Sequence, residues 1–334
     1  MKAEGGRTYV IAEMACSHEG DPSLARRIID AAGEAGADAI QFQIWAREDI
    51  IVPHHPDWEL IGKLEMPRED WGGLAAYARA HHPAMHIIAC INDLNDREFC
   101  ETIGVDAYKI HAADLSNPNL IQGMARTGKR VELSVGGSTL DEIQAAVEWV
   151  KDSGAAVWLM YGKQNFPTRP EAARLAYMKA LKALFELPVG YQDHSDADTD
   201  AAFWLPAAAL GIGVEALEKH ITHDRSLEGA DHQAALNPDE FSRFVAMVRE
   251  IDRAMGESGP QPLSEDDLRY RRYSKKSIVA RHNLAPGTRL GLDDLAFMRA
   301  DALGLAPSEA PKLVGRTPSR AIRAHQLVME RDLK

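Results

Sequence analysis

The sequence predicts an α/β chain: a (β/α)8 TIM barrel followed by a small C-terminal domain. Short apolar runs alternate with amphipathic stretches of helical period from Thr8 to Met255. Eight such strand–helix units occupy about 250 residues, the usual size of a closed parallel barrel. After Gly256 the alternation stops and the composition turns to Gly, Pro, Ser and acidic residues. An open, doubly wound sheet is the competing arrangement, but no Gly-rich dinucleotide fingerprint or phosphate loop follows any strand.

Thr8 to Ala12 reads as a buried β-branched and aromatic strand ending at Glu13. Asp21-Pro22-Ser23 opens a helix whose apolar face is Leu24, Ile28, Ile29 and Ala32, closed by Gly33 and Gly36. Asp38–Gln43 is the second strand. A long aperiodic loop follows, in which Trp45, Trp58 and Trp71 are expected to pack the loop and the helix Trp71–Ala80 on the barrel. The remaining pairs are His86–Cys90 with Asn95–Ile103, Ala107–Ile110 with Pro118–Arg126, and Arg130–Ser134 with Thr139–Lys151. Then come Ala156–Tyr161 with Pro170–Phe185, Val189–Tyr191 with Ala201–Leu210, and Val214–Glu218 with Pro238–Met255. The expected division is residues 1–256 for the barrel, 257–273 for a linker, and 274–334 for a turn-rich domain with short extended pieces at Ser277–Ala280, Arg289–Leu290 and Ala321–Ile322.

Composition narrows the function. Three cysteines, Cys16, Cys90 and Cys100, have no CxxC spacing, which fits a reducing cytoplasm rather than a disulfide framework. Neither an apolar leader in the first residues nor a membrane-length apolar run is read from the chain. A formal charge of −12 argues against nucleic acid or an anionic membrane as partner. An anionic substrate must then be met by local cations.

The chemistry concentrates in Gly190-Tyr191-Gln192-Asp193-His194-Ser195 and Glu218-Lys219-His220-Ile221-Thr222-His223. Both stretches end a strand, where α/β folds place their catalytic groups. Two imidazoles from adjacent strand ends, His194 and His220, can share one divalent metal. His223 and His232 stay open between ligand, proton shuttle and surface residue, and Asp193 reads as a group that orients an imidazole. Glu13 ends a buried strand, so its carboxylate needs a partner or a role. Lys109, also at a strand end, admits an amine-nucleophile reading. The pairs His54-His55 and His81-His82 read as surface features, because adjacent side chains diverge on either element.

In chain order the motifs are Ile-Ala-Glu-Met-Ala-Cys-Ser-His-Glu-Gly, Ala-Gly-Ala-Asp-Ala-Ile-Gln-Phe-Gln, Tyr-Lys-Ile-His-Ala-Ala-Asp, Leu-Ser-Val-Gly-Gly, Phe-Pro-Thr, Val-Gly-Tyr-Gln-Asp-His-Ser, Glu-Lys-His-Ile-Thr and Asp-His-Gln-Ala-Ala-Leu-Asn-Pro. Taken together, they resemble the sialic acid synthase family. The tail Lys-Lys-Ser-Ile-Val-Ala-Arg-His-Asn-Leu-Ala-Pro-Gly-Thr is similar to the family's antifreeze-like (SAF) domain. The resemblance implies metal-dependent condensation of phosphoenolpyruvate with an N-acyl amino-sugar aldehyde to a nonulosonic acid, with release of phosphate. It implies Mn2+ or Mg2+ on His194 and His220, with Glu13, Lys109, Glu218 and Asp231 as catalytic groups. It also implies a domain-swapped homodimer in which each SAF domain caps the partner's barrel mouth and brings Arg299 to the N-acyl group.

The donor side departs from the family pattern. Gln41-Phe42-Gln43 stands where the family has Lys-Phe-Gln, and Lys109-Ile110-His111-Ala112 where it has Lys-Ile-x-Ser. Gln192 replaces the serine of Ser-Asp-His, Gln164 the asparagine before Tyr-Pro-Thr, and Ala89-Cys90-Ile91-Asn92 the Ser-Thr-Pro-Phe stretch. Ser134 remains. Each charge-assisted donor to a phosphate contributes roughly 1.5–3 kcal/mol, so these changes predict weaker phosphate binding unless His111 and Lys163 compensate. Gln41, Gln43, His111, Ser134, Lys163, Gln164, Gln192 and Arg299 are the candidate substrate-binding set. A metal-assisted aldolase or lyase acting on a different carboxylate is the second reading, and a catalytically silent binding protein the third.

Overall fold

The computed structural model describes residues 7–257 and 259–334; the expectation that residues 1–6 carry no apolar leader falls outside them. Eight strands form a closed parallel barrel in sequence order. They are β1 Tyr9–Glu13, β2 Ala39–Ile44, β3 His86–Ile91, β4 Ala107–Ile110, β5 Arg130–Ser134, β6 Val157–Tyr161, β7 Val189–Asp193 and β8 Ala216–His220. Closure comes from β1 pairing with β8, Glu13 lying opposite His220.

Side chains of alternate strand residues divide between two cores. Tyr9, Ile11, Ala39, Ile88, Ala107, Trp158, Met160 and Ala216 form a separate buried cluster that fills the barrel. The intervening positions, such as Val10, Ala12, Ile40, Phe42 and Leu217, pack outward in one large cluster with the helices. Toward the C-terminal strand ends the inward series turns polar, at Glu13, Gln41, Lys109, Ser134, Gln192 and Glu218, all of them buried.

Helix starts follow the caps written in the sequence. Asp21 accepts from Ser23 N ahead of Pro22–Ala35, and Asn117 from Leu120 N ahead of Pro118–Ala125. A reciprocal Thr139–Glu142 capping box opens Leu140–Val150.

The expected single helix over 170–185 is instead two, Pro170–Ala173 and Tyr177–Phe185, broken where Arg174 takes a left-handed φ of 46°. At the break the Tyr161 hydroxyl donates to Ala173 O at 3.2 Å, a tertiary contact that satisfies the last carbonyl of the first helix. The long loop after β2 is also more ordered than its lack of period suggests. It holds the short helices Arg47–Ile50 and Trp58–Leu64, joined by the Arg47 guanidinium 4.1 Å from the Trp58 ring centre. Trp45 and Trp71 are buried, and Trp71 packs 5.2 Å from Phe42. Of the paired histidines, His54, His55 and His81 are exposed; His82 is half-buried and bonds Asp30 at 2.9 Å.

The chain divides into compact units Met1–Gly256 and Glu257–Lys334. Within the stretch of linker composition the structure forms a helix, Glu265–Ser274, opened by a Ser264–Asp267 capping box and burying none of its residues. The second unit then builds its own core from Ile278, Leu284, Leu290, Leu295, Leu313, Ile322 and Val328. Its regular strands are β9 Ser277–Ala280 and β10 Leu295–Met298, paired antiparallel. Arg289–Leu290 and Ala321–Ile322 are not strands; Ile322 makes only an isolated bridge to Leu284. Among the described residues no helix is long and apolar enough to cross a membrane.

Candidate active site

The inward-facing polar series converges on the C-terminal mouth of the barrel. Glu13 Oε1 accepts from Ala15 N at 2.6 Å and Gln43 Nε2 at 3.2 Å. Burial pushes the Glu13 carboxyl up to about 8, opposed by Lys109 and reinforced by Glu218. Its Oε2 has no partner. In the neutral acid the proton therefore sits on Oε2. Gln41 lies beside Glu13 in the β1–β2 register, fully buried, with neither amide atom hydrogen-bonded.

Across the barrel, Lys109 Nζ forks onto Glu218 at 2.5 and 2.6 Å. Burial works against the Lys109 ammonium, but the Glu218 and Glu13 carboxylates outweigh it and raise its affinity for the proton. A charged, paired Lys109 is a poor amine nucleophile, which favours an electrostatic role over the Schiff-base reading. Gln192 donates to Glu218 Oε1 at 3.1 Å and accepts from Ser134 Oγ at 2.8 Å. Ser134 thus spends its proton inside the protein.

His194 and His220 come together as the two strand ends require, their ring centres 4.9 Å apart. Burial lowers the affinity of both rings for a proton, in His220 well below the ordinary histidine value, so both are neutral. Their Nδ1 atoms are buried without partners. Neutral, unpartnered, adjacent imidazoles are a donor set suited to a divalent cation. Among the described residues no three His, Cys, Asp or Glu side chains converge in this way.

Asp193 does not orient an imidazole. It bonds Lys219 Nζ at 2.7 Å, Ser195 Oγ at 2.7 Å and the Tyr191 hydroxyl at 3.0 Å. Strand alternation turns Asp193 and Lys219 away from the barrel interior, and both are buried. Sequence reasoning missed this pair, although the outward phase of Lys219 between Glu218 and His220 was the available signal.

His223 is buried with Nδ1 unpartnered, whereas His232 is half-buried with Nδ1 2.8 Å from Gly229 O. Asp231 adopts a left-handed φ of 62°, a strained setting for a non-glycine residue that concentrates at functional sites. Burial raises its carboxyl, while the Cys16 backbone N–H lowers it. The β8 loop also meets the loop that follows Glu13, Ser17 Oγ donating to Ala230 O at 3.4 Å.

His111 is half-buried, its Nδ1 accepting from Ala113 N at 3.2 Å. Lys163 is half-buried two residues beyond β6. Gln164 has its Nε2 buried and unpartnered against Gly136, where any Cβ would collide with that amide and with Gly162 O. Arg299 is exposed immediately after β10, in the second unit.

Orphaned buried polar atoms are costly. Glu13 Oε2, Gln164 Nε2 and the Nδ1 atoms of His194, His220 and His223 belong to residues at or just beyond the C-terminal strand ends, and the orphaned Gln41 amide lies level with Glu13. A cavity of about 1340 Å³ opens instead at the N-terminal face around Arg130, Tyr9 and Trp158. Arg130 is held there by Glu132 and between those two rings, an arrangement of floor packing rather than of reactive groups.

A closed parallel barrel with carboxylates, a buried lysine and an imidazole pair at its C-terminal mouth is a (β/α)8-barrel enzyme. Residues 28–259 match the NeuB family and residues 275–334 the SAF domain, and the chain belongs to the NeuB family. An uncharacterised protein of Methanocaldococcus jannaschii is 33% identical, over 89% of this chain and 86% of its own. The N,N'-diacetyllegionaminic acid synthase of Legionella pneumophila is 29% identical over 95% and 92%. The crystal structure of N-acetylneuraminic acid (sialic acid) synthetase from Leptospira borgpetersenii, with citrate, superposes with a TM-score of 0.73 at 29% identity, covering 79% of this chain and 91% of that one.

Proposed function

We propose that this enzyme condenses phosphoenolpyruvate with an N-acyl amino-sugar aldehyde to give a nonulosonic acid and phosphate. The adjacent neutral imidazoles of His194 and His220, facing a mouth that also holds Glu13 and Lys109, carry the reading. Relatives named for legionaminic, pseudaminic and N-acetylneuraminate-9-phosphate synthesis support the substrate class. A divalent cation, Mn2+ or Mg2+, on His194 and His220 would supply Lewis-acid polarisation of the aldehyde carbonyl.

The chain's own groups supply the rest. Carbon 3 of the enol bonds to the aldehyde carbon, and the aldehyde oxygen takes a proton, for which Glu13 holds one on Oε2. Water adds at carbon 2, and loss of inorganic phosphate leaves the keto acid. Lys109 presents positive charge to the donor while Glu218 and Gln192 fix its position. The Gln41 and Gln164 amides offer neutral hydrogen-bond donors to the donor's oxygens, and Asp231 faces the acceptor.

The enzyme further works as a homodimer in the cytoplasm, each SAF domain capping the partner's mouth and bringing Arg299 to the N-acyl group. Support comes from the helix Glu265–Ser274, which leaves Leu268, Tyr270 and Tyr273 exposed, and from three free cysteines. Light scattering tests the dimer. The activity test is purified protein with Mn2+, phosphoenolpyruvate and hexosamine-type aldehydes. Phosphate and a keto acid should appear in equal amounts; no phosphate with any aldehyde rejects the reading.

A second reading, an aldolase or lyase on a less charged keto acid such as pyruvate, is favoured by one observation. Lys109 is neutralised by Glu218, Ser134 is committed to Gln192, and Gln41 is uncharged. Calorimetric binding of phosphoenolpyruvate tighter than pyruvate decides against it.

A further inference from the structure

His194 and His220 sit at the roots of two different loops, and one guanidinium spans both. Arg225 lies in the loop after β8, and its Nε donates to Asp198 Oδ1 at 3.0 Å in the loop after β7. Its Nη1 donates to Ala235 O at 3.2 Å, and its Nη2 to Glu240 Oε1 at 2.8 Å in the first turn of helix Pro238–Met255. Its backbone N–H donates to Asn237 Oδ1 at 2.7 Å, the cap of that same helix. The two loops also meet directly, Ala197 N donating to Gln233 O at 2.9 Å. The far end of the β8 loop returns to the metal-site candidate itself, Leu236 N donating to His220 O at 2.9 Å.

We infer that Arg225 is a positioning residue for the imidazole pair: by fastening the β7 loop, the β8 loop and the following helix to one planar fork, it sets the spacing of His194 and His220. Arg suits the task because five fixed donors reach separate acceptors at once, which a lysine point charge cannot reproduce. The arrangement leaves a test that a stability staple would fail. Asp198 is 77% exposed at its side chain, so losing its charge changes stability little. Removing its side chain, as in D198A, takes away the acceptor of Arg225 Nε and frees the β7 side of the fork. The inference rests on the proposed metal site, and its test separates the two.

The experiment measures Mn2+ affinity by electron paramagnetic resonance for the full-length protein and for D198A, R225M and R225K. Backbone hydrogen exchange at Ala197 and Leu236 is followed alongside. Groups that orient ligands typically change metal affinity by roughly 10–100-fold. R225M is expected to lose affinity in that range, with R225K retaining fold and charge but not full affinity. D198A is expected to lose affinity at an unchanged melting temperature, and both amides to exchange faster. If D198A binds Mn2+ as the unmodified protein does, Arg225 only anchors its own loop and the inference is overturned. If the unmodified protein binds no divalent cation, the metal site falls, and exchange alone decides the clip: faster exchange at Ala197 and Leu236 upholds it, unchanged exchange overturns it.

Discussion

Replacing Glu218 with Gln should destabilise the barrel far more than loss of one hydrogen bond would. Lys109 and Glu218 are 3% and 2% exposed at their side chains, so solvent screens the pair little. In E218Q the ammonium remains buried at the mouth with a neutral amide in place of its counter-charge. Breaking a buried pair from one side costs about 3–5 kcal/mol. For a barrel of this size each kcal/mol lowers the melting temperature by about 2–4 °C, giving a fall of about 6–20 °C. Calorimetry on E218Q reads that shift directly. The double variant K109M/E218Q should regain much of it, because removing both charges leaves no uncompensated ion. A single variant melting within about 2 °C of the parent, or a double variant no more stable than the single, would show that Lys109 is solvated or sheds its proton without cost.

Three further outcomes follow from the same mouth. If neutral Glu13 donates a proton, kcat/KM should hold below its raised value and fall as pH climbs through about 8; E13Q should abolish that limb, and a profile unchanged in E13Q would remove Glu13 from the chemistry. Gln41→Lys places a cation beside the donor and should lower KM for phosphoenolpyruvate by roughly tenfold or more, as a charge-assisted bond allows. An unchanged KM would place the donor's anionic groups elsewhere. Gly136→Ala drives a Cβ into Gly162 O and the Gln164 amide, so it should cost about 1–3 kcal/mol and depress kcat; full activity and stability would mean that the β5 and β6 rims are not in close contact.

Much of the barrel was legible in local pattern. β4 at Ala107–Ile110, β5 at Arg130–Ser134 and the helix Pro238–Met255 fall where hydrophobic period and caps put them. The mouth was legible as well, since every parallel strand points its C-terminal residue to the same end. What stayed hidden were partnerships. Nothing in the spacing of Gln192 says that it bridges Ser134 and Glu218, or that Asp193 turns to Lys219 rather than to an imidazole. Nor does Glu-Ala-Ala-Arg-Leu-Ala announce a helix break at Arg174 or a Tyr161 hydroxyl on the last carbonyl before it.

The division has one physical origin. Periodicity and capping act within a few residues, so the chain alone determines which segments are strands, which way each side chain faces, and which end collects the polar groups. Which of those groups touch depends on the stagger between strands once the barrel closes, as in Glu13 opposite His220 across the β1–β8 seam. That stagger is a property of the whole ring of strands, and tertiary structure alone decided it.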